Sequence, residues 1–184
     1  MSKSNDAIAV VLAIGAGDDL LPLTDSRTGA AVPFGGNFRL IDFPLTNCLN
    51  SGLRKVLVLT QYKSHSLHKH LRDGWSIFNA ELGEFITPVP PQMRGGPTGY
   101  RGPVDAMQQN LYLLERNSAD LVVVLGGDEI YRMDYAAMLR HHRDNGADVC
   151  FAYGADAAAG DWGNALPVQI DADGRLLTAG SAAA

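Results

Sequence analysis

Two stretches of this chain have residue types and spacing suited to phosphate chemistry. The first is "LAIGAGDDLLPLT", Leu12–Thr24, where Gly15 and Gly17 follow an apolar run. Glycines in such a loop let backbone N–H groups converge on an anion. The spacing is neither GxGxxG nor a P-loop, so the pattern also fits a plain tight turn. Asp18 and Asp19 would repel a phosphate placed there. The second stretch is "GGDEIY", Gly126–Tyr131. Asp128 lies just past a strongly apolar run and offers the hard oxygen that Mg²⁺ takes beside substrate phosphates. The alternative is a solvent-facing turn or cap residue. Glu129 is then either a supporting group or simply exposed.

Two further segments carry polar groups of interest. His65, His68 and Lys69 share helical spacing. A zinc site would need further ligands that the sequence does not offer, so an exposed basic helix face is expected. Tyr100 and Arg101 stand in a Pro/Gly-rich stretch just before a helix. Such a segment can close over a ligand, or be a surface loop with one packed tyrosine.

The elements that must position these groups alternate. "AIAVVLAI" (Ala7–Ile14), "KVLVLT" (Lys55–Thr60) and "ADLVVVLGGD" (Ala119–Asp128) read as buried strands without period-two alternation, as expected of parallel strands covered on both faces. "ADVCFAYG" (Ala147–Gly154) reads as a fourth strand. Helices are expected over Arg39–Gly52, with Pro44 delaying or kinking the start, and over Ser64–Gly74 with Leu67 and Leu71 inward. A further helix is expected over Val104–Asn117, with Ala106, Leu111 and Leu114 on its buried side. The last is Asp134–Gly146, with Asp134 as N-cap. Pro88 through Pro103 reads as a long loop, and Leu166–Gly180 as a hairpin around Asp173-Gly174. The order predicts an α/β fold with a mostly parallel sheet, whose ligands sit beyond the carboxyl ends of the strands. Both phosphate-suited stretches fall there.

The chain has 184 residues and a net charge of -5, which argues against a nucleic-acid surface. No apolar run approaches the ~18 residues of a membrane span, and no signal peptide is visible. Cys48 and Cys150 form no CxxC pair, so a reducing, cytoplasmic setting is expected.

Several longer stretches, in order, resemble one family. They are "AVPFGGNFRLIDFPLTNCLNSG", "VLTQYKSHSLHKHL", "EFITPVPPQMR", "YRGPVDAMQQN" and "GGDEIYRMDY". Together they resemble the N-terminal part of the catalytic domain of glucose-1-phosphate adenylyltransferase (ADP-glucose pyrophosphorylase), from about Ile8 to Leu177. The resemblance implies a Rossmann-like, mostly parallel sheet of the sugar-nucleotidyltransferase type, incomplete here. Residues 1–180 would form a partial nucleotidyltransferase domain, without the family's C-terminal β-helix. It implies a reaction in which glucose 1-phosphate attacks the α-phosphorus of ATP, with Mg²⁺, giving ADP-glucose and pyrophosphate for glycogen or starch synthesis. Catalysis would rest on positioning and charge neutralisation.

By the same resemblance, Leu12, Ala13, Gly15, Gly17, Gln61, Gly102 and Asp105 match nucleotide-side positions, Arg101 matches the segment that closes near base and phosphates, and Asp128 matches the metal-binding aspartate. The departures fall at the chemistry. Asp19 stands where the family has a phosphate-clamping arginine, and Gly29 where it has a lysine. Ile14 replaces a glycine, Gly99 a tryptophan, and Glu129 the histidine after the metal aspartate. Losing one transition-state donor costs ~2.7–4 kcal/mol, and reversing a charge should cost more. An impaired or inactive enzyme is therefore expected. The alternatives are a non-catalytic regulatory or nucleotide-binding partner of a full-length homologue, self-association, or a gene remnant. Sheet edges and apolar faces left open would favour a covering partner.

Overall fold

The computed structural model describes residues 7–93, 98–154 and 168–180. It forms two compact units, residues 1–144 and 145–184. In the first, β1 (Ala7–Ala13), β4 (Lys55–Thr60), β5 (Phe85–Val89) and β6 (Leu121–Gly126) make one sheet in the order β5-β4-β1-β6. All its pairings are parallel. A two-stranded antiparallel ribbon, β2 (Pro33–Phe34) with β3 (Phe38–Arg39), projects between β1 and helix α1 (Asp42–Asn50). The other helices of this unit are α2 (His65–Gly74), α3 (Pro103–Gln109), α4 (Leu111–Arg116) and α5 (Tyr135–Asn145), whose last residue lies across the unit boundary.

The central strands are apolar throughout because both faces are covered. Ala9 and Val11 of β1 and Val56 and Val58 of β4 face Ile41, Leu45, Leu67, Leu71 and Tyr135. Ile8 and Val10 of β1 and Leu57 and Leu59 of β4 face Tyr100, Ala106 and Leu114. Both strands therefore lack alternation, as the sequence predicts.

Helix termini follow their caps. Gly52 (φ 75°) ends α1 in a Schellman motif. The Leu53 N–H donates to Cys48 O at 2.9 Å, and the Gly52 N–H to Leu49 O at 3.2 Å. Pro44 lies in the first turn of α1, where its missing N–H has no helical partner to lose. Asp134 Oδ1 accepts from the Ala137 N–H at 3.2 Å and so caps α5.

Five expectations are corrected. The stretch expected to be loop from Pro88 begins inside β5, an edge strand among the described residues, where a proline costs no ladder bond on the open side. The helix expected over Val104–Asn117 is broken at Asn110 into α3 and α4. The Asn110 side chain donates to Ala106 O and to the Tyr100 hydroxyl, each at 2.9 Å, so it is held inward where a continuous helix would turn it away. Ala106 and Leu114 are buried as expected, but Leu111 is 51% exposed. The strand β6 is covered on one face only: Val123 and Leu125 are buried, while Val122 and Val124 are 40% and 50% exposed. In the second unit, Ala147–Gly154 forms no strand, and Val149, Phe151 and Tyr153 are exposed. That unit does contain the expected hairpin, β7 (Val168–Ile170) with β8 (Leu176–Ala179) and Gly174 at φ 78° in its turn.

Candidate functional site

Chain order explains where a site arises. From β1 the chain moves outward to β4 and β5, then returns to place β6 on the other side of β1. The order of strands thus reverses between β1 and β6, and a crevice lies beyond their carboxyl ends. A cavity of about 440 Å³ lies there, bounded by Leu12–Gly15 at the end of β1, by Thr28 and Ala30, by Gln61, by Tyr100–Pro103, and by Gly126 and Asp128.

Glycines allow these segments to approach. A Cβ on Gly127 would stand 2.9 Å from Leu12 O, the carbonyl that accepts the Gly127 N–H at 3.0 Å. Any side chain there would pry β6 from β1. Gly17 sits at φ 75°, and a Cβ on it would stand 3.0 Å from Gly29 Cα. The loop is tied down by two buried threonines. Thr24 Oγ1 donates to Gly17 O at 2.8 Å, and Thr28 Oγ1 donates to Gly15 O at 2.9 Å.

The opposite wall is a closed loop. Gln61 Nε2 donates to Tyr100 O at 3.0 Å, and its Oε1 accepts the Tyr100 N–H at 2.5 Å. Gly99 leaves room for this amide, because a Cβ there would clash with Gln61. The Tyr100 ring is buried, and that burial raises its phenol pKa against the opposing effect of the Asn110 hydrogen bond. The Arg101 N–H donates to Asp105 Oδ2 at 2.9 Å, and its guanidinium meets Asp105 Oδ1 at 3.1 Å. These bonds, backbone first, hold the Asp105 carboxyl below the usual carboxylate range.

The residues singled out in the sequence therefore divide. Leu12, Ala13, Gly15, Gln61, Arg101, Gly102 and Asp128 line the cavity. Gly17 supports the loop from behind, and Asp105 sits beneath Arg101. Asp18 and Asp19 lie exposed in a short 3-10 helix, Asp18–Leu20, and neither lines the wall. Gly29 is buried, and a Cβ on it would stand 2.9 Å from Asp128 Oδ2. Glu129 folds back over Gly126, where an added Cβ would meet its carboxyl carbon at 2.8 Å. Thr28 was missed in the sequence: its role depends on Gly15, thirteen residues away, and a single hydroxyl gives no pattern.

Two histidines of α2, His68 and His70, serve the scaffold. His68 Nε2 bonds Thr60 Oγ1 at 2.8 Å, and burial followed by the nearby His65 lowers the His68 pKa. His70 Nε2 and Trp75 Nε1 both meet Asp42 Oδ1 at 2.7 Å, joining α2 to α1. Lys69 and Arg72 are exposed and share Asp73. Among the described residues no group of three or more His, Cys, Asp or Glu could hold a metal ion alone.

Mg²⁺ commonly binds through one or two carboxylates plus the phosphates of a substrate, and Asp128 fits that use. Among the described residues Arg101 is the one Lys or Arg lining the cavity, and it is already paired with Asp105.

Comparison with known proteins agrees with this geometry. A family model described as nucleotidyl transferase matches residues 8–176. Glucose-1-phosphate adenylyltransferase 2 of Vibrio parahaemolyticus is 69% identical over 147 residues, which cover 80% of this chain and 36% of that protein. The glucose-1-phosphate adenylyltransferases of Saccharophagus degradans and Teredinibacter turnerae are 44% and 46% identical over 177 residues, 95% of this chain and 41% of each relative. The chain thus spans about two fifths or less of the relatives it matches. No helix among the described residues is long and apolar enough to cross a membrane. The parallel sheet, the cavity at its switch point and the extent of these matches together place the chain in the nucleotidyl transferase family, with glucose-1-phosphate adenylyltransferases among its similar relatives.

Proposed function

We propose that this chain is the nucleotide side of a glucose-1-phosphate adenylyltransferase and that by itself it makes little or no ADP-glucose. The family reaction joins ATP and glucose 1-phosphate with release of pyrophosphate. Here the cavity at the ends of β1 and β6 would take the adenosine end, with Asp128 sharing Mg²⁺ with the nucleotide. The observation that carries the reading is this cavity, where among the described residues no cation is free to meet phosphates: Gly29 brings no side chain, Asp19 stands outside the wall, and Arg101 is held by Asp105. Transfer needs charge neutralisation at the α-phosphorus, and the loss of one such donor slows it by ~10²–10³. The test is pyrophosphate release by the 184-residue chain supplied with ATP, glucose 1-phosphate and Mg²⁺. The expected result is no release above the blank. Robust Mg²⁺-dependent turnover would overturn the impairment.

The open face of β6 favours a second reading, in which the chain joins a full-length homologue. Val122 and Val124 form an apolar pair on the outer strand of the described sheet. Altered kinetics of a complete relative on mixing would support this reading, and unchanged kinetics at micromolar concentration would count against it.

A further inference from the structure

The segment that carries Asp128 is held from behind. Residues 127–134, between β6 and α5, form neither helix nor strand, so no regular ladder fixes them. Asp128, Glu129 and Ile130 are exposed, so packing does not fix them either. Hydrogen bonds do. At the near end the Gly127 N–H donates to Leu12 O at 3.0 Å. At the far end both partners come from α1 and its C-cap. Asn47 Nδ2 donates to Tyr131 O at 3.0 Å, and Ser51 Oγ accepts the Tyr135 N–H at 2.8 Å. The Ser51 N–H donates to Asn47 O at 2.9 Å, so the two side chains follow one another along a single helical face. Both residues are buried, 6% and 7% exposed, on the helix that gives Leu45 and Cys48 to the apolar core. A buried polar side chain costs free energy unless a partner satisfies it. Here the partners are backbone groups 84 residues away in the chain.

We propose that Asn47 and Ser51 are positioning residues for the Asp128 carboxylate, which they place by pinning the chain at Tyr131 and Tyr135. The proposal rests on the reading of Asp128 as the residue that shares a divalent cation with the nucleotide, and adds what holds it there. Pinned at Gly127 and at Tyr131, the residues between have little freedom. Asp128 Oδ2 stands 2.9 Å from the Cβ position of Gly29, so a shift of this short span moves the carboxylate along the cavity wall. Freeing Tyr131 lets the carboxylate leave that place for part of the time, and apparent affinity falls by the fraction of time it is away.

The test is the enhancement of water-proton relaxation as the whole chain is titrated into Mn²⁺–ATP, with Mn²⁺ standing in for Mg²⁺. Asn47→Leu keeps the volume and removes the donor, and Ser51→Ala removes the second pin with little change of shape. Bonding partners of metal ligands are worth ~10–100-fold in metal affinity, and these residues act one step further out, so Asn47→Leu should weaken Mn²⁺–ATP about fivefold and Ser51→Ala about twofold. Asp128→Asn itself should lose about tenfold, and neither variant should add to that loss, because the group they place is gone. Tyr135→Phe keeps both backbone pins and should bind as the natural chain does. Unchanged affinity in either variant would overturn the role of that residue. An equal loss with and without Asp128, or in Tyr135→Phe, would overturn the proposal and leave Asp128 as the metal residue. If Asn47→Leu does not fold, Ser51→Ala decides by the same criteria. No enhancement from the folded natural chain, or the same enhancement from Asp128→Asn, would overturn the metal reading of Asp128 and the proposal with it.

Discussion

Replacing Gly17 by alanine tests whether the glycine loop is held where the structure places it. The cost has two parts. Gly17 lies at φ 75°, ψ 50°, and a side chain in the left-handed region costs about 1–2 kcal/mol. The new Cβ would also stand 3.0 Å from Gly29 Cα, 3.1 Å from Thr24 Cγ2 and 3.3 Å from Gly29 N. Two of those atoms are backbone, and the third belongs to a threonine that is 1% exposed and hydrogen-bonded to Gly17 itself. Such overpacking costs typically ~1–3 kcal/mol, so the total expected is ~2–5 kcal/mol. Gly35 supplies the control, with φ 57° and nothing within 4 Å of its Cβ position. Gly35→Ala pays the conformational part alone, ~1–2 kcal/mol. Urea unfolding followed by far-ultraviolet circular dichroism gives both values. If Gly17→Ala loses no more than Gly35→Ala, Gly17 is not pressed against Gly29, and the described loop position is wrong.

Four more outcomes are expected. Asp42→Ala removes the acceptor shared by His70, Trp75 and the Arg39 N–H, and should cost ~2–4 kcal/mol, with a red shift of tryptophan emission. Burial pushes the Cys48 thiol up to about 12 from 9.0. The unfolded chain therefore sheds that proton first, so stability should fall as pH rises from about 9 to 12, by at most ~4 kcal/mol, and this fall should shrink in Cys48→Ala. The same burial should leave Cys48 unmodified by iodoacetamide at pH ~8 until urea unfolds the chain, as mass spectrometry would show. Tyr135→Phe should cost ~1 kcal/mol in the same urea assay, because it removes the hydroxyl bonded to Tyr131 at 2.7 Å within the core.

What could be read from the sequence was local. The apolar runs of β1 and β4 were legible because burial on both faces removes alternation, Gly52 and Gly146 marked helix ends through their left-handed backbone, and Asp134 marked one through its capping carboxylate. The stretch over β5 was misread because Pro88 signals a loop, and only its place at the edge of the described sheet makes it tolerable. The break at Asn110 has the same character. It depends on the Tyr100 hydroxyl, ten residues back, receiving the Asn110 amide.

The sequence by itself determined the parallel α/β plan, the family, and Gly29 and Asp19 at positions where the resemblance implies a lysine and an arginine. Only the tertiary structure decided where the remaining charges go. Asp19 reads in sequence as an anion facing phosphate, yet it stands exposed outside the cavity. Asp128 reads as a metal ligand, and it leans over Gly29, ninety-nine residues away. Residue type fixes a charge, but its effect depends on distance and on the groups around it, and in a parallel sheet those are set by chain crossovers that join distant segments at the ends of neighbouring strands.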